Sequence, residues 1–158
     1  MKLIRSRDNP QVKALIRLAA SSRDRRRTGT TLIEGEHLVQ AYRESGGVAE
    51  IVFAGEDAFA RPAIRALVEN TPAAARLVLA DRLVAHISQL VSAAGVAAVI
   101  RTPDPGPRPR ELSTCLLLEN IQDPGNLGSI LRSAGAAGIR HVFLSRGSVV
   151  AWAPKVVG

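Results

Sequence analysis

The chain reads as α/β: a small N-terminal α/β/α sandwich followed by the opening β-α-β part of a second domain. Three observations carry that reading. Short β-branched apolar runs alternate with stretches of helical period along the 158 residues. The run Gly95-Val96-Ala97-Ala98-Val99-Ile100 lacks polar alternation, as a strand covered on both faces does. Four prolines between Thr102 and Arg110 then break the pattern with a stiff, extended spacer. With 46% hydrophobic residues the chain can bury a real core and is no disordered tail.

The elements follow in order. Asn9 is a good N-cap, Pro10 suits the first helical position, and Val12, Leu15, Ile16 and Ala19 repeat at helical spacing, with a basic opposite face. Arg23 to Arg27 run out into a turn at Thr28-Gly29-Thr30. Thr31-Leu32-Ile33 is a short strand, and Leu38, Val39 and Tyr42 mark a helix ended by Gly46-Gly47. Ile51 to Ala54 is a strand, Pro62 to Asn70 a helix, and Leu77 to Leu79 a strand. Asp81 caps a helix presenting Leu83, Val84 and Ile87. Beyond the prolines, Cys115 to Leu118 is a strand, Asn126 to Ala137 a helix with Leu127, Ile130, Leu131 and Ala134 on one face, and His141 to Leu144 a strand reached by a parallel crossover. Two strands and one helix leave a face and edges uncovered. The divisions expected are a basic helical extension over 1–27, a domain over 28–101, a linker over 102–112 and an incomplete second domain over 113–158.

Charge is concentrated. The net charge is +7, and residues 1–27 hold nine basic and two acidic groups while the remainder balances. The whole excess is one N-terminal patch, which suits a polyanion such as nucleic acid; a merely solvated arginine-rich terminus is the plainer alternative. One cysteine and three histidines offer neither an internal disulfide nor a spaced set of metal ligands. No signal-peptide core or run of about 18 apolar residues is present, so a soluble cytoplasmic protein without membrane attachment is expected. Five aromatic residues give no ladder of stacking platforms, which favours recognition of structured RNA by shape and phosphate over single-strand binding.

The informative stretch is Leu116 to Gly138. Its glycines, in Gly125-Asn126-Leu127-Gly128, match neither the dinucleotide fingerprint nor the phosphate-binding P-loop, so neither NAD nor ATP is suggested. The same string is not the clamp loop of a KH domain, which joins two helices and carries basic residues. The loop lies at the carboxyl end of a parallel strand and leads into a helix N-terminus, where α/β sheets place ligands and free N–H groups favour anions. Asn126 as a helix cap and Gly125 as a turn residue is the bland reading. Arg132 falls one turn beyond Ser129, between the apolar stripe and the polar side.

Asp123-Pro124-Gly125-Asn126-Leu127-Gly128 with Arg132 four residues on resembles the first motif of the SpoU/TrmH family of RNA ribose 2′-O-methyltransferases, in the SPOUT class. Asn9-Pro10 with its basic helix, Leu32 to Leu38 and Pro154-Lys155-Val156-Val157 fall in that family's order, so the resemblance covers essentially the whole chain. It implies an N-terminal RNA-binding domain similar to the kink-turn-binding ribosomal-protein fold, joined to a knotted domain that binds S-adenosylmethionine and forms a homodimer. It implies that Arg132 assists removal of the 2′-hydroxyl proton and contacts RNA phosphate, that Asn126 shapes the site, and that Lys155 approaches the RNA. Lys13, Arg17, Arg23, Arg25, Arg26 and Arg27 become the RNA-binding patch, with ribosomal RNA favoured over tRNA. A guanidinium beside a 2′-hydroxyl stabilises the developing alkoxide while gripping the adjacent phosphate; as a literal base it is feeble.

The sequence also departs from that pattern. After Val157 the family continues with an arginine and the segments that form the knot and cofactor pocket, whereas this chain has Gly158. The cofactor-binding residues are therefore unassigned, and a truncated, inactive product is expected, with a non-catalytic RNA-binding module as the competing reading. His37, beside two glutamates, is read as loop-stabilising, His86 and His141 as structural, Cys115 as an inert buried thiol, and Glu119 as a loop hydrogen-bonding group. Trp152 is read as part of a frayed end.

Overall fold

The computed structural model describes residues 1–88, 95–107 and 114–157. They form two units, residues 1–102 and 103–157. The first is built on a sheet of β1 (Lys2–Ile4), β2 (Thr30–Glu34), β3 (Ala49–Gly55), β4 (Ala73–Leu79) and β5 (Val96–Arg101), in the order β1-β4-β3-β5-β2. Strand β4 is parallel to β1 and β3, with Leu77 opposite Phe53, and β5 is antiparallel to β3 and β2, with Val99 opposite Ile51 and Leu32.

Side chains alternate across this sheet. Ile51, Phe53, Leu77, Leu79, Ala97 and Val99 pack in one core with Val12, Leu15 and Leu18 of α1 (Pro10–Ala20) and Leu83, Val84 and Ile87 of α6 (Asp81–Ile87). Their neighbours Val52, Ala54, Ala98 and Ile100 are also buried, so the opposite face is covered too. There α3 (Glu36–Glu44) and α5 (Pro62–Asn70) pack on each other and on β5 and β3, burying Val39, Ile64, Leu67 and Val68. The sandwich is α/β/α, as the unalternating Val96–Ile100 run requires. Residues 1–27, read as an extension, are packed into this unit: α1 buries four side chains in the core face it shares with α6.

Four local details differ from the sequence reading. Strand β1 escaped notice because three residues carry no period. The arginine run is a helix, α2 (Ser22–Thr28), because the Ser21 hydroxyl caps it by accepting from the Asp24 N–H at 3.1 Å and Gly29 ends it at φ +66°. A short helix α4 (Glu56–Ala60) follows β3. Asp81 begins α6 rather than capping it, and its carboxylate accepts from the Asp57 N–H at 3.3 Å.

The second unit consists of β6 (Cys115–Leu118), α7 (Pro124–Ala136), β7 (His141–Leu144) and α8 (Pro154–Val157), with β6 parallel to β7 as the crossover predicts. Leu127 is fully buried with Ala153 and Val156, flanked by Leu118, Ile121, Leu131, Leu144 and Val149. Leu117, 75% exposed, marks the uncovered side of β6. Cys115 is half-buried rather than buried. Of the expected linker, Thr102 to Pro107 takes no regular secondary structure; residues 108–112, residue 113 and Gly158 lie outside the described residues. Among the described residues no helix is long and apolar enough to cross a membrane.

Candidate functional site

The corner between α1 and α2 holds most of the predicted cations. Asn9 caps α1 by accepting from the Gln11 N–H at 2.9 Å, and Pro10 follows it. At the other end of α1, where carbonyls lack helical partners, Arg25 Nη1 donates to the carbonyls of Leu18 and Ala19, both at 2.8 Å. Burial and the neighbouring Arg26 push the Arg25 guanidinium pKa down from its ordinary value. Arg25 is therefore turned inward as a helix cap, unlike its neighbours in sequence.

The others divide. Lys13 pairs with Asp8 at 2.9 Å and Arg27 with Asp24 at 3.2 Å. The bond to Lys13 and its charge hold the Asp8 carboxyl below the usual range; the Ser21 hydroxyl, then Arg27, do the same for Asp24. Arg17, Arg23 and Arg26 are exposed and have no ion pair among the described residues. These three are the cations the corner offers outward. Arg101, which sequence reasoning did not single out, lies 3.6 Å from Glu50 at the same end of the sheet. Only the β2–β3–β5 pairing brings it there.

The second constellation lies at the carboxyl ends of β6 and β7. Asn120 takes a left-handed conformation, φ +54°, and its N–H donates to the Ser145 hydroxyl at 2.9 Å. Gln122 Nε2 donates to Asn120 Oδ1 at 2.7 Å and to the Gly147 carbonyl at 2.6 Å, and the Ile121 N–H to the Ser148 hydroxyl at 3.1 Å. The two loops are thus stitched together by side chains far apart in sequence. Asp123, not Asn126, caps α7, accepting from the Asn126 N–H at 2.7 Å. Asn126 sits exposed in the first turn.

Arg132 is exposed, and its Nη2 donates to the Ser129 hydroxyl at 3.4 Å. Asn126 and Arg132 are six positions apart on the helix, about 9 Å along the axis and about 120° around it, so they share a helix but not a face. Arg132 belongs instead to the contact between α7 and α8: a Cβ at Gly128 would lie 3.2 Å from Arg132 Nη1 and 2.5 Å from the Val156 carbonyl oxygen. Lys155 is exposed beside Val156. The structure thus groups Arg132 with the Pro154–Val157 segment and leaves Asn126 at the loop.

A groove of about 410 Å³ beside α7 is lined by Leu116, Ile130, Ala134 and Ile139, with hydroxyls from Ser129 and Ser133. It offers no carboxylate for a ribose or an ammonium group. These residues assign no cofactor ligand.

The family model for the MRM3-like substrate binding domain matches residues 9–98. The mitochondrial rRNA methyltransferase 3 of Xenopus laevis is 32% identical over 158 residues, covering 93% of this chain and 36% of that protein. The 23S rRNA (guanosine(2553)-2′-O)-methyltransferase of Bacillus subtilis (strain 168) is 29% identical, covering 99% of this chain and 60% of that protein. Among solved structures, an RNA 2′-O ribose methyltransferase superposes with TM-score 0.82 at 28% identity, over 99% of this chain and 60% of its own. The SpoU methyltransferase AviRb from Streptomyces viridochromogenes, solved with AdoMet, shares the fold at TM-score 0.82 and 23% identity, over 94% of this chain and 57% of its own. The chain thus spans between about a third and three fifths of the relatives it matches. With the family model covering more than half of it and the loop motif standing in the matching fold, the chain belongs to the MRM3-like substrate-binding domain family, within the SpoU/TrmH family.

Proposed function

We propose that this chain serves ribose 2′-O-methylation of ribosomal RNA in the cytoplasm, its first unit holding structured RNA and its second presenting Arg132 to the ribose. The observation that carries the reading is the trio of outward-facing cations Arg17, Arg23 and Arg26 on a unit matched by a substrate-binding family model. Arg132 is the exposed guanidinium on the loop-helix element, suited to stabilise a 2′-alkoxide and to hold the adjacent phosphate, with Lys155 nearby and Asn126 shaping the loop. The methyl donor of such a reaction is S-adenosylmethionine, and the enzyme acts as a homodimer. The RNA-binding domain is the first unit, residues 1–102, with α1 and α2 part of it, and the catalytic domain begins near residue 113.

A second reading, an RNA-binding module without activity of its own, is favoured by the family model, which matches residues 9–98 as a substrate-binding domain. Both readings require RNA binding. Titration of a ribosomal RNA fragment at several salt concentrations tests them together: replacing Arg17, Arg23 and Arg26 with alanine should reduce the slope of log affinity against log salt by about 2 to 3. An unchanged slope overturns the placement. Labelled methyl transfer from S-adenosylmethionine to the same RNA separates the two.

A further inference from the structure

Between α1, α2 and the adjoining ends of β2, β5 and β3 lies a cleft of about 210 Å³ that the reading above does not use. Its floor is apolar: Leu15 and Leu18 of α1, Val99 of β5 and Ile51 of β3 all belong to the main core cluster. Its rim is polar and of both signs. Arg17 and Arg27 stand there with Asp24 and Glu50, and the Thr28 and Thr30 hydroxyls, 2.7 Å apart, complete the wall. A dry floor with a few convergent polar groups is the make-up of a small-ligand site. The volume is below the roughly 300 Å³ at which drug-sized pockets begin. A flat heterocycle fits it; a whole nucleotide does not.

We propose that this cleft receives the base of one unpaired nucleotide of the bound RNA, with the flanking phosphates left outside on Arg17, Arg23 and Arg26. The proposal rests on the RNA-binding reading and adds a base-selective element to it. The polar groups decide which base. Asp24 and Glu50 carboxylates only accept hydrogen bonds, so they match bases that present amino or ring N–H donors. Guanine offers two adjacent donors, N1–H and the N2 amino group, on one edge, whereas uracil offers a single N3–H flanked by two carbonyl oxygens that a carboxylate repels. The paired arginines let a polyanion approach these acids: Arg27 lies 3.2 Å from Asp24 and Arg101 3.6 Å from Glu50, so neither acid faces the RNA uncompensated.

The experiment compares three RNA hairpins, identical except that one is fully paired, one carries a single bulged guanosine and one a single bulged uridine. The expected result is that the guanosine bulge binds on the order of tenfold tighter than the paired hairpin, the scale of one specific base contact, and the uridine bulge does not. Glu50→Gln should weaken the guanosine-bulge complex while leaving the paired hairpin equal or tighter, because it removes an acceptor and one negative charge together. Ala14→Trp, an exposed position lining the cleft, should fill it and abolish the bulge preference with the salt slope unchanged. Equal affinity for all three hairpins, or Glu50→Gln tightening every complex alike, overturns the cleft and leaves the RNA-binding reading standing. Failure of every hairpin to bind removes both.

Discussion

Gly128 faces the carbonyl of Val156 so closely that a single added methyl group would come within 2.5 Å of the carbonyl oxygen. The partner atom is backbone, not the movable end of a side chain, so α8 can accommodate a Cβ only by moving away from α7. The two strings that lie nearly thirty residues apart, Gly125 to Gly128 and Pro154 to Val157, are therefore one packed feature. Gly128→Ala should destabilise the second unit by about 1–3 kcal/mol, the usual cost of overpacking. Hydrogen exchange checks this: amides of α8 and the Val149–Ala153 segment should lose protection while those of the first unit keep theirs.

Arg25 and Arg26 are adjacent in sequence and opposite in role. Arg25 satisfies two carbonyls at the end of α1, and Arg26 is exposed. Arg25→Ala should lower stability by about 1–3 kcal/mol, since hydrogen bonds from a charged donor to otherwise orphaned carbonyls are lost. Arg26→Ala should leave the unfolding midpoint unchanged and reduce RNA affinity and its salt dependence. Denaturant titration beside RNA binding for the two variants checks the split; equal stability of both would remove the capping role.

Much of this was legible in the sequence, and the limits have physical causes. Pro62–Asn70 and the Asn9 cap were readable because capping and period are local properties. The burial of Val96–Ile100 on both faces followed from the lack of alternation. Charge counting located the patch but could not tell Arg25 from Arg26, because the carbonyls that Arg25 caps exist only once α1 turns into α2. The separation of Asn126 from Arg132 follows from helix geometry alone, yet a motif string hides it by setting them side by side in one line. The Gly128 contact needs the return of the chain at Val156 and has no local signal.

Acid should loosen the corner of α1 and α2. The folded-state pKa values of Asp8 and Asp24 lie below their ordinary value of 3.8, so the folded state binds fewer protons than the unfolded chain. Their contribution is fully present above the unfolded pKa, near 4, and is lost as pH falls through the lower folded values. Asp24→Asn should flatten the pH dependence of stability below about pH 4, measured by thermal unfolding between neutral and strongly acidic buffer; a slope identical to that of the parent protein would remove this carboxylate from the account.

Arg132 carries the sharpest test of the reaction assignment. Its guanidinium is exposed, tied to Ser129 at 3.4 Å, and set beside the Gly128–Val156 contact rather than in the core. The unfolding midpoint of Arg132→Ala separates any effect on folding from an effect on the reaction. If Arg132 stabilises the developing alkoxide, its loss should reduce kcat for methyl transfer on the order of 10²–10³-fold, the range for removing one such donor. Arg132→Lys keeps the charge but not the planar fork, so it should restore phosphate attraction, seen as KM, more than kcat. A variant in which KM rises and kcat stays unchanged would assign Arg132 to RNA binding alone, because an interaction equal in ground state and transition state leaves the chemical step untouched.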